Sequence, residues 1–279
     1  MIAGMRSRWT SLAAAVLAIG LSLHAQGPGD TARDAVPRRA DGRPDLSGIW
    51  MPPYVPDMSL SRRDQRGWAE PPFSPDDTPP ARQALYAKTG SKAELPFTPA
   101  GLADWVPYDA ATGDYTGTCF PFGLTRSVNA PYPFQIMQDE RSVALLFEIN
   151  TWHHVIRIAN EFPAVMAENP TWYGYSIGRW QGDTLIVESR GFNGYTRLDT
   201  VGHPHSDRLH VTQTFRRVDA NRIAYTVTID DPKTYTRPWT NERTFTRIDG
   251  PLLEYSCEEN NKSLWEGRIK TWTPPWAQP

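Results

Sequence analysis

The sequence lacks an excess of basic residues. Its 29 Lys and Arg are offset by 31 Asp and Glu, for a formal net charge of −2. No basic patch with interleaved aromatic residues stands out, so we expect no nucleic-acid partner. Three chemical signatures are also absent: a Gly-rich phosphate loop, a G-x-S-x-G nucleophile elbow and an H-E-x-x-H zinc motif. Their absence argues against nucleotide enzymes, α/β-hydrolases and zincin proteases.

Long apolar runs are missing beyond the N-terminus. There, Arg6 and Arg8 precede the short run "LAAAVLAIGLSL", and Ala25 follows as a small residue suited to cleavage. This pattern predicts a signal peptide over residues 1–25, with an uncleaved anchor as the alternative. The mature protein is then expected to be periplasmic or secreted, with no membrane span.

Cysteine is scarce, with only Cys119 and Cys257 in the whole chain. In an oxidising compartment an isolated pair predicts one disulfide. The bridge would close a loop of roughly 140 residues, which contributes up to about 4–5 kcal/mol in the chain-entropy description. Two buried free thiols are the alternative.

Proline is abundant, and its distribution divides the chain. Residues 26–43 are expected to be a flexible lead-in, and residues 44–279 a single β domain. Within that domain, residues 52–132 form an irregular, proline-rich segment that we expect to cover the barrel. Two short helices fit inside it, at "ARQALYAKTG" and at "TPAGLADW", where Thr98 is the N-cap and Pro99 the first helical residue.

Short β-type runs separated by turn signals follow from residue 133 onward. They are "PFQIMQ", "SVALLFEIN", "WHHVIRIA", "YSIGRWQ", "TLIVESR", "RLHVTQTFRRV", "NRIAYTVTID", "RTFTRI", "LLEYSC" and "GRIKTW". A run of short strands with tight connections predicts a mainly β protein, either an antiparallel calycin-like barrel or a sandwich.

The register of one hairpin follows from its hydrophobic pattern. A loop at residues 219–221 places Phe215 opposite Tyr225, so that the apolar faces of the two strands coincide. The second face is then rich in threonine and carries a cross-strand pair of His210 and Asp230. The pattern leaves open whether this second face meets water or the barrel interior.

Two resemblances arise from these motifs. "GIW" at Gly48–Trp50 resembles the Gly-x-Trp opening of lipocalin and calycin barrels. "GRWQGDTLIVE", "GHPHSDRLHVTQTFRR", "TIDDPKTYTRPWT" and "EYSCEENN" resemble a family of exported, largely uncharacterised proteins of environmental Gram-negative bacteria, over roughly residues 44–270. That family often has Glu where this chain has Gln213. The resemblance implies a β fold and candidate positions, but no reaction.

Three histidines lie close together in "GHPHSDRLH": His203, His205 and His210. Three imidazoles with a nearby carboxylate would suit a divalent transition metal such as zinc. The same residues would also suit acid–base catalysis without a metal, or a purely structural polar loop. The sequence leaves all three open.

The sequence predicts an exported enzyme that acts on a small organic molecule by His/Asp acid–base chemistry, with or without a metal, as a lyase or hydrolase. His205 or His210 would be the base, and Asp230 or Asp207 would orient it. Five further residues are predicted to contact the substrate: Glu148, His154, Lys233, Trp152 and Trp239. The alternative is a periplasmic protein that binds an apolar or aromatic ligand without catalysis.

Overall fold

A computed structural model describes residues 35–54, 57–59, 95–108 and 114–268. The predicted signal peptide, the first half of the lead-in and the helix predicted at "ARQALYAKTG" lie outside these residues. In the part that is described, no helix is long and apolar enough to cross a membrane.

Nine strands close into a single barrel, each paired with the next in sequence and the last paired with the first. Their bounds are β1 Gly48–Met51, β2 Phe134–Gln138, β3 Ser142–Phe147, β4 His153–Ile158, β5 Tyr175–Gln181, β6 Thr184–Arg190, β7 His210–Arg217, β8 Arg222–Asp230 and β9 Trp239–Ile248. The mainly β, calycin-like barrel is therefore confirmed.

One strand pair departs from the predicted antiparallel pattern. β4 and β5 are parallel, with Ile156 beside Ser176. A closed ring with an odd number of strands cannot be antiparallel throughout, so nine strands require a parallel pair somewhere. The connection over residues 159–174 provides it by returning along the barrel before β5 begins.

The predicted hairpin register is confirmed. Phe215 lies opposite Tyr225, and His210 lies opposite Asp230. Phe215 and Tyr225 are buried inside the barrel, whereas the threonine face looks outward. On that outer face the hydroxyls of Thr214 and Thr226 hydrogen-bond at 2.6 Å.

Two predicted strands are not found. "LLEYSC", residues 252–257, has no strand, and the described part of "GRIKTW" has none either. β9 already pairs with β1, so the closed barrel offers no free edge to a tenth strand. Two helices outside the sheet are Leu124–Val128 (α2) and Lys262–Trp265 (α3).

The two ends of the barrel differ in their connections. At one end the strands are joined by short turns, at residues 139–141, 182–183 and 218–221. We call this the short-turn end. The longer connections, at residues 52–133, 148–152, 191–209 and 231–238, lie at the opposite end. We call this the long-loop end. The histidine-rich segment therefore lies at the long-loop end.

A buried Trp–Arg pair packs at the short-turn end. The guanidinium of Arg217 lies 5.2 Å from the ring of Trp50. It donates to the backbone oxygens of Asp219, Asp45 and Ala220, so all three of its nitrogens are paired. Arg217 is thus a buried cation that has a hydrogen-bond partner in the protein for each of its three side-chain nitrogens.

The helix predicted at "TPAGLADW" is present as α1, Pro99–Trp105. The hydroxyl of its N-cap, Thr98, accepts a hydrogen bond from the Gly101 N–H at 3.0 Å. A Cβ at Gly101 would lie 2.2 Å from the carbonyl oxygen of Thr234. This glycine therefore allows the helix to pack closely on the β8–β9 connection at the long-loop end.

The predicted disulfide is confirmed between Cys119 and Cys257, which are 138 residues apart in sequence. It fixes the segment before α2 to the segment before α3, and both segments lie outside the sheet. The bridge therefore restrains chain that the barrel itself does not hold.

We expect the double variant Cys119→Ala/Cys257→Ala to lose about 2–5 kcal/mol of unfolding free energy, because its unfolded chain gains the entropy of a large open loop. Urea unfolding of both proteins measures this. Adding reductant should bring the wild type to the stability of the variant and leave the variant unchanged. Equal stability with and without the bridge would contradict the expectation.

Candidate functional site

The three histidines of "GHPHSDRLH" do not converge on one point. In the described residues, the only group of His, Cys, Asp or Glu with ligand atoms within 4.8 Å of one another is Asp57, Asp199 and His203. His205 and His210 are not part of it. The predicted ligand set of three imidazoles is therefore not assembled, because each ring faces a different part of the fold.

His205 is buried with both ring nitrogens occupied. Nδ1 lies 3.0 Å from the carbonyl oxygen of Ser206, and Nε2 lies 2.6 Å from the hydroxyl of Thr196. Since a carbonyl only accepts, Nδ1 carries the proton and Nε2 accepts from Thr196. Burial lowers the pKa of His205 and favours this neutral form. In this arrangement His205 joins two parts of the β6–β7 loop.

His210 lies on the outer face of β7, half-buried. Its Nε2 is 3.5 Å from the carboxylate of Glu188, which also binds Arg179. Burial lowers the pKa of His210, and the positive charge of Arg190 lowers it further.

An open surface cleft of about 640 Å³ brings three of the predicted catalytic residues together. His210, Asp207 and Asp230 all line it, beside Arg190 and Arg208. Asp207 is already paired with Lys233 at 2.7 Å, and both side chains are more than half exposed. The predicted substrate contact Lys233 is therefore one half of a surface ion pair.

His203 is fully buried and fixed by one carboxylate. Its Nδ1 lies 2.6 Å from Asp199 Oδ2, and its backbone N–H donates to Asp199 Oδ1 at 3.1 Å. Because a carboxylate only accepts, the proton of the neutral ring lies on Nδ1. Nε2 is buried and has no hydrogen-bond partner in the part of the chain that the structure describes. The ring of Trp105 packs 4.7 Å from the imidazole.

Asp57 completes this cluster. Its Oδ1 lies 3.9 Å from His203 Nδ1 and accepts from Ser59, whereas its Oδ2 is buried without a partner. Asp57, Asp199 and His203 could supply ligand atoms to a divalent cation. However, Nδ1 is engaged with Asp199, so the geometry matches a hydrogen-bonded His–Asp pair more closely than a coordination sphere.

The two carboxylates govern the charge of His203. Burial alone would lower its pKa, but Asp199 and then Asp57 outweigh burial, and the pKa of His203 is raised. Burial also raises the pKa of Asp57 and so favours its neutral acid. Asp199 therefore favours uptake of a proton by His203, while burial favours the neutral acid of Asp57.

Hydrogen bonds connect this cluster to an arginine on the inner face of β9. Asp199 Oδ2 accepts from the Met58 N–H at 2.7 Å, and the Met58 carbonyl accepts from Asn241 at 2.5 Å. Arg243 then donates through Nη1 to Asn241, and through Nε to Asn129 at 2.9 Å. We call this set the buried polar network: Asp57, Asn129, Asp199, His203, Asn241 and Arg243.

Arg243 neighbours a second polar pair inside the barrel. It lies opposite Tyr225 in the β8–β9 register, and the Tyr225 hydroxyl is 2.7 Å from the amide nitrogen of Gln213. Nη2 of Arg243 and Oε1 of Gln213 are both buried without a partner. Burial lowers the pKa of Arg243 to about 10, so the guanidinium is still charged at neutral pH.

The two predicted tryptophans lie at the long-loop end of the barrel. Trp152 directly precedes β4, and Trp239 is the first residue of β9. The indole N–H of each is buried without a hydrogen-bond partner. Glu148 is placed differently from its predicted role, since its carboxylate accepts the backbone N–H of Leu253 at 2.9 Å and so ties down the C-terminal segment.

His154 points into the barrel and begins a short chain of hydroxyl groups. Its Nε2 is 2.6 Å from the hydroxyl of Ser176, which is 2.5 Å from the hydroxyl of Ser189. Burial lowers the pKa of His154 to about 4, and the nearby charge of His153 acts in the same direction. A neutral imidazole is therefore part of the folded interior.

Sequence reasoning missed Asp57, Asp199, Asn241 and Arg243. A signal for the last two exists: "WTNERTF" alternates, and Asn241 and Arg243 share a face with Trp239 and Phe245. The predicted strand began only at Arg243, so this alternation was cut short. Asp199 and Asp57 carry no such signal, because the fold brings them together from two separate loops.

Comparison with known proteins does not assign the chain to a family. No family model matches the chain, and no curated protein matches it. The resemblance to exported bacterial proteins therefore stays an expectation.

We expect His154 to make the fold sensitive to acid. Its pKa in the folded protein, about 4, lies below its ordinary 6.5, so its contribution to stability is complete above pH 6.5 and is lost as the pH falls towards 4. The loss over this window should be about 3 kcal/mol. Urea unfolding of wild type and His154→Gln at both ends of the window tests this, and the variant should lose less stability.

The exposed neighbour His153 provides the control, since His153→Gln should keep nearly the whole wild-type loss. An equal loss in wild type and His154→Gln would show that other groups cause the acid sensitivity.

Proposed function

We propose that the protein is an exported enzyme that acts on a small organic molecule by acid–base chemistry, with His203 as the acid–base group and Asp199 as the residue that orients it. The observation that carries the proposal is the state of the two ring nitrogens of His203. Nδ1 is held by Asp199 at 2.6 Å, and Nε2 is left without a partner in the interior.

An unpaired buried nitrogen is unfavourable for stability. A buried polar atom without a hydrogen bond destabilises a protein by about 1–3 kcal/mol, and such atoms are uncommon. An imidazole with one nitrogen fixed by a carboxylate and the other free is also the arrangement that proton transfer to a bound molecule requires. Asp199 and Asp57 raise the pKa of His203 against the effect of burial, so the ring takes up a proton more readily than a buried imidazole without such neighbours.

The other two candidate histidines are less suited to this role. Both nitrogens of His205 are occupied by protein groups. Nε2 of His210, like that of His203, is buried without a hydrogen bond, but it lies 3.5 Å from Glu188, whose carboxylate is shared with Arg179. Proton transfer by His205 would break an existing hydrogen bond, and proton transfer by His210 would compete with its contact to Glu188. The sequence-based assignment of the base to His205 or His210 is therefore replaced, in our proposal, by His203.

Ligand binding without catalysis is the second candidate, and the tryptophans favour it. Trp152 and Trp239 present unpaired indole N–H groups at the same end of the barrel as His203. Aromatic surfaces with a single polar group are typical of sites that hold small ligands. A binding protein would use the same residues, but the free nitrogen of His203 would only hydrogen-bond the ligand.

The test is a turnover screen by proton NMR in deuterated water. The probes are small esters, lactones, ketones and amides, each in a neutral and in a carboxylate-bearing form. Hydrolysis or elimination produces new resonances, and proton abstraction next to a carbonyl replaces hydrogen by deuterium. We expect turnover of at least one probe, and a rate about 100-fold to 10,000-fold lower in His203→Asn.

His205→Gln and His210→Asn are the matched controls. We expect His205→Gln to be less stable but active per folded molecule, and His210→Asn to be active. Survival of turnover in His203→Asn, or its loss in His210→Asn alone, would refute the role of His203. Binding of a probe without turnover of any would favour the second candidate.

Elemental analysis of the same preparations tests the metal-assisted form of the reaction. Asp57, Asp199 and His203 are the residues that would hold the ion. Stoichiometric zinc or another transition metal that disappears in Asp57→Asn would turn the His–Asp pair into a ligand set.

A further inference from the structure

We propose that the molecule bound at this site carries a single negative charge, as a carboxylate does, and that Arg243 binds it inside the barrel. This inference deepens the proposed function, because it names the class of substrate or ligand for the same end of the barrel. It rests on the hydrogen bonds and burial of Arg243, which no step of the acid–base proposal uses.

Arg243 is a buried cation that no carboxylate among the described residues contacts. It is 3% exposed, and it donates hydrogen bonds to Asn129, Asn241 and a backbone carbonyl of β9. The part of the chain that the structure describes offers it no ion pair. Taking an ion out of water without a counter-ion destabilises a protein by several kcal/mol, so such a charge is seldom retained without a use.

The nearest acids are already engaged. Asp199 is paired with His203 and also accepts two backbone N–H groups. Asp57 accepts its hydrogen bonds from the backbone N–H and the hydroxyl of Ser59. The two acids act on Arg243 only from a distance, and the guanidinium is left as the unmatched positive charge of the buried polar network.

The two buried atoms without hydrogen-bond partners indicate which groups a ligand would have to offer. Nη2 of Arg243 can only donate, so it requires an acceptor. Oε1 of Gln213, on the side chain bound to Tyr225, requires a donor. A carboxylate with a hydroxyl or N–H group nearby satisfies both. A doubly charged phosphate would leave a surplus negative charge beside one guanidinium, so a monoanion fits better.

Arg217 shows that this arrangement is not a general feature of the barrel. It is also an inward-facing, buried arginine, but three backbone carbonyls occupy its nitrogens and Trp50 covers its face. Every side-chain nitrogen of Arg217 has a partner within the protein, whereas Nη2 of Arg243 has none among the described residues. Arg217 ends β7 at the short-turn end, whereas Arg243 lies midway along β9, with hydrogen bonds to Asn241 and to Asn129 of the long 52–133 connection.

The test measures the thermal midpoint of the full mature protein with added small molecules. The probes are acetate and benzoate, their neutral counterparts acetamide and benzamide, inorganic phosphate, and chloride at matched ionic strength. A ligand that binds only the folded state raises the midpoint. We expect acetate or benzoate to raise it, and both amides, phosphate and chloride to have little effect.

Arg243→Met and Arg243→Lys identify the residue. Without ligand, Arg243→Met should be as stable as wild type or more stable, since it removes an unmatched buried charge. Its affinity for the carboxylate should fall about tenfold to a hundredfold. Arg243→Lys keeps the charge but loses the planar group, and should also bind more weakly. It serves as the second variant if Arg243→Met does not fold.

Three results would overturn the inference: no midpoint rise with any carboxylate, an equal rise in the Arg243 variants, or an equal rise with the amides. An equal rise in the variants would place the anion elsewhere, for instance near Arg190 and Arg208 in the surface cleft. His203→Asn separates the two proposals, because it should still bind the carboxylate. Arg243-dependent binding with no turnover would retain the inference and refute the enzyme.

Discussion

The carboxylate of Asp199 is the interaction on which the candidate site depends. It accepts the backbone N–H of Met58 from one loop, and the backbone N–H and ring nitrogen of His203 from another. Two separate connections are thereby fixed to each other at the long-loop end. The same contacts set the tautomer of His203, leave its second nitrogen free, and carry the hydrogen bonds on through Asn241 to Arg243. Asp199 therefore holds the two connections together and also arranges the side chains of the candidate site.

The distribution of satisfied and unsatisfied polar groups separates a structural end from a candidate functional end. Arg217 at the short-turn end has every nitrogen paired, and the surrounding turns are tight. Nε of Arg39, beside the 139–141 turn, is buried without a partner, but more such atoms lie towards the long-loop end, where His203, Gln213, Trp239 and Arg243 each have one. Groups of this kind reduce stability, and their concentration in one region is the physical basis for placing the ligand there.

Much of the fold could be predicted because it depends on local patterns. Short β-type runs between turn signals predicted all eight strands after the first, and the matched apolar faces of β7 and β8 set their register. Two cysteines in an expected oxidising compartment predicted the disulfide. The excess strand at "LLEYSC" was wrong because barrel closure is a global property: nothing in those six residues shows that β1 already occupies the last edge.

The candidate site was less predictable because its parts are distant in sequence. The histidine-rich segment was visible, but spacing alone did not show that His203 would turn inward, that His205 would be fully hydrogen-bonded, or that His210 would face outward. Asp57 and Asp199 come from loops without periodicity. Arg243 was visible only as a charged residue on the apolar face of β9, and its importance depends on the absence of a counter-ion, which only the folded chain reveals.

The most direct measurement is a side-chain nitrogen NMR spectrum of the folded protein, in which the buried guanidinium of Arg243 is followed as acetate is added. Our account predicts that the Nη2 resonances of Arg243 shift strongly to new hydrogen-bonded positions, while those of the fully paired Arg217 stay fixed. Unchanged Arg243 resonances, or shifts confined to the exposed Arg190 and Arg208, would contradict the claim that the barrel interior holds an anionic ligand.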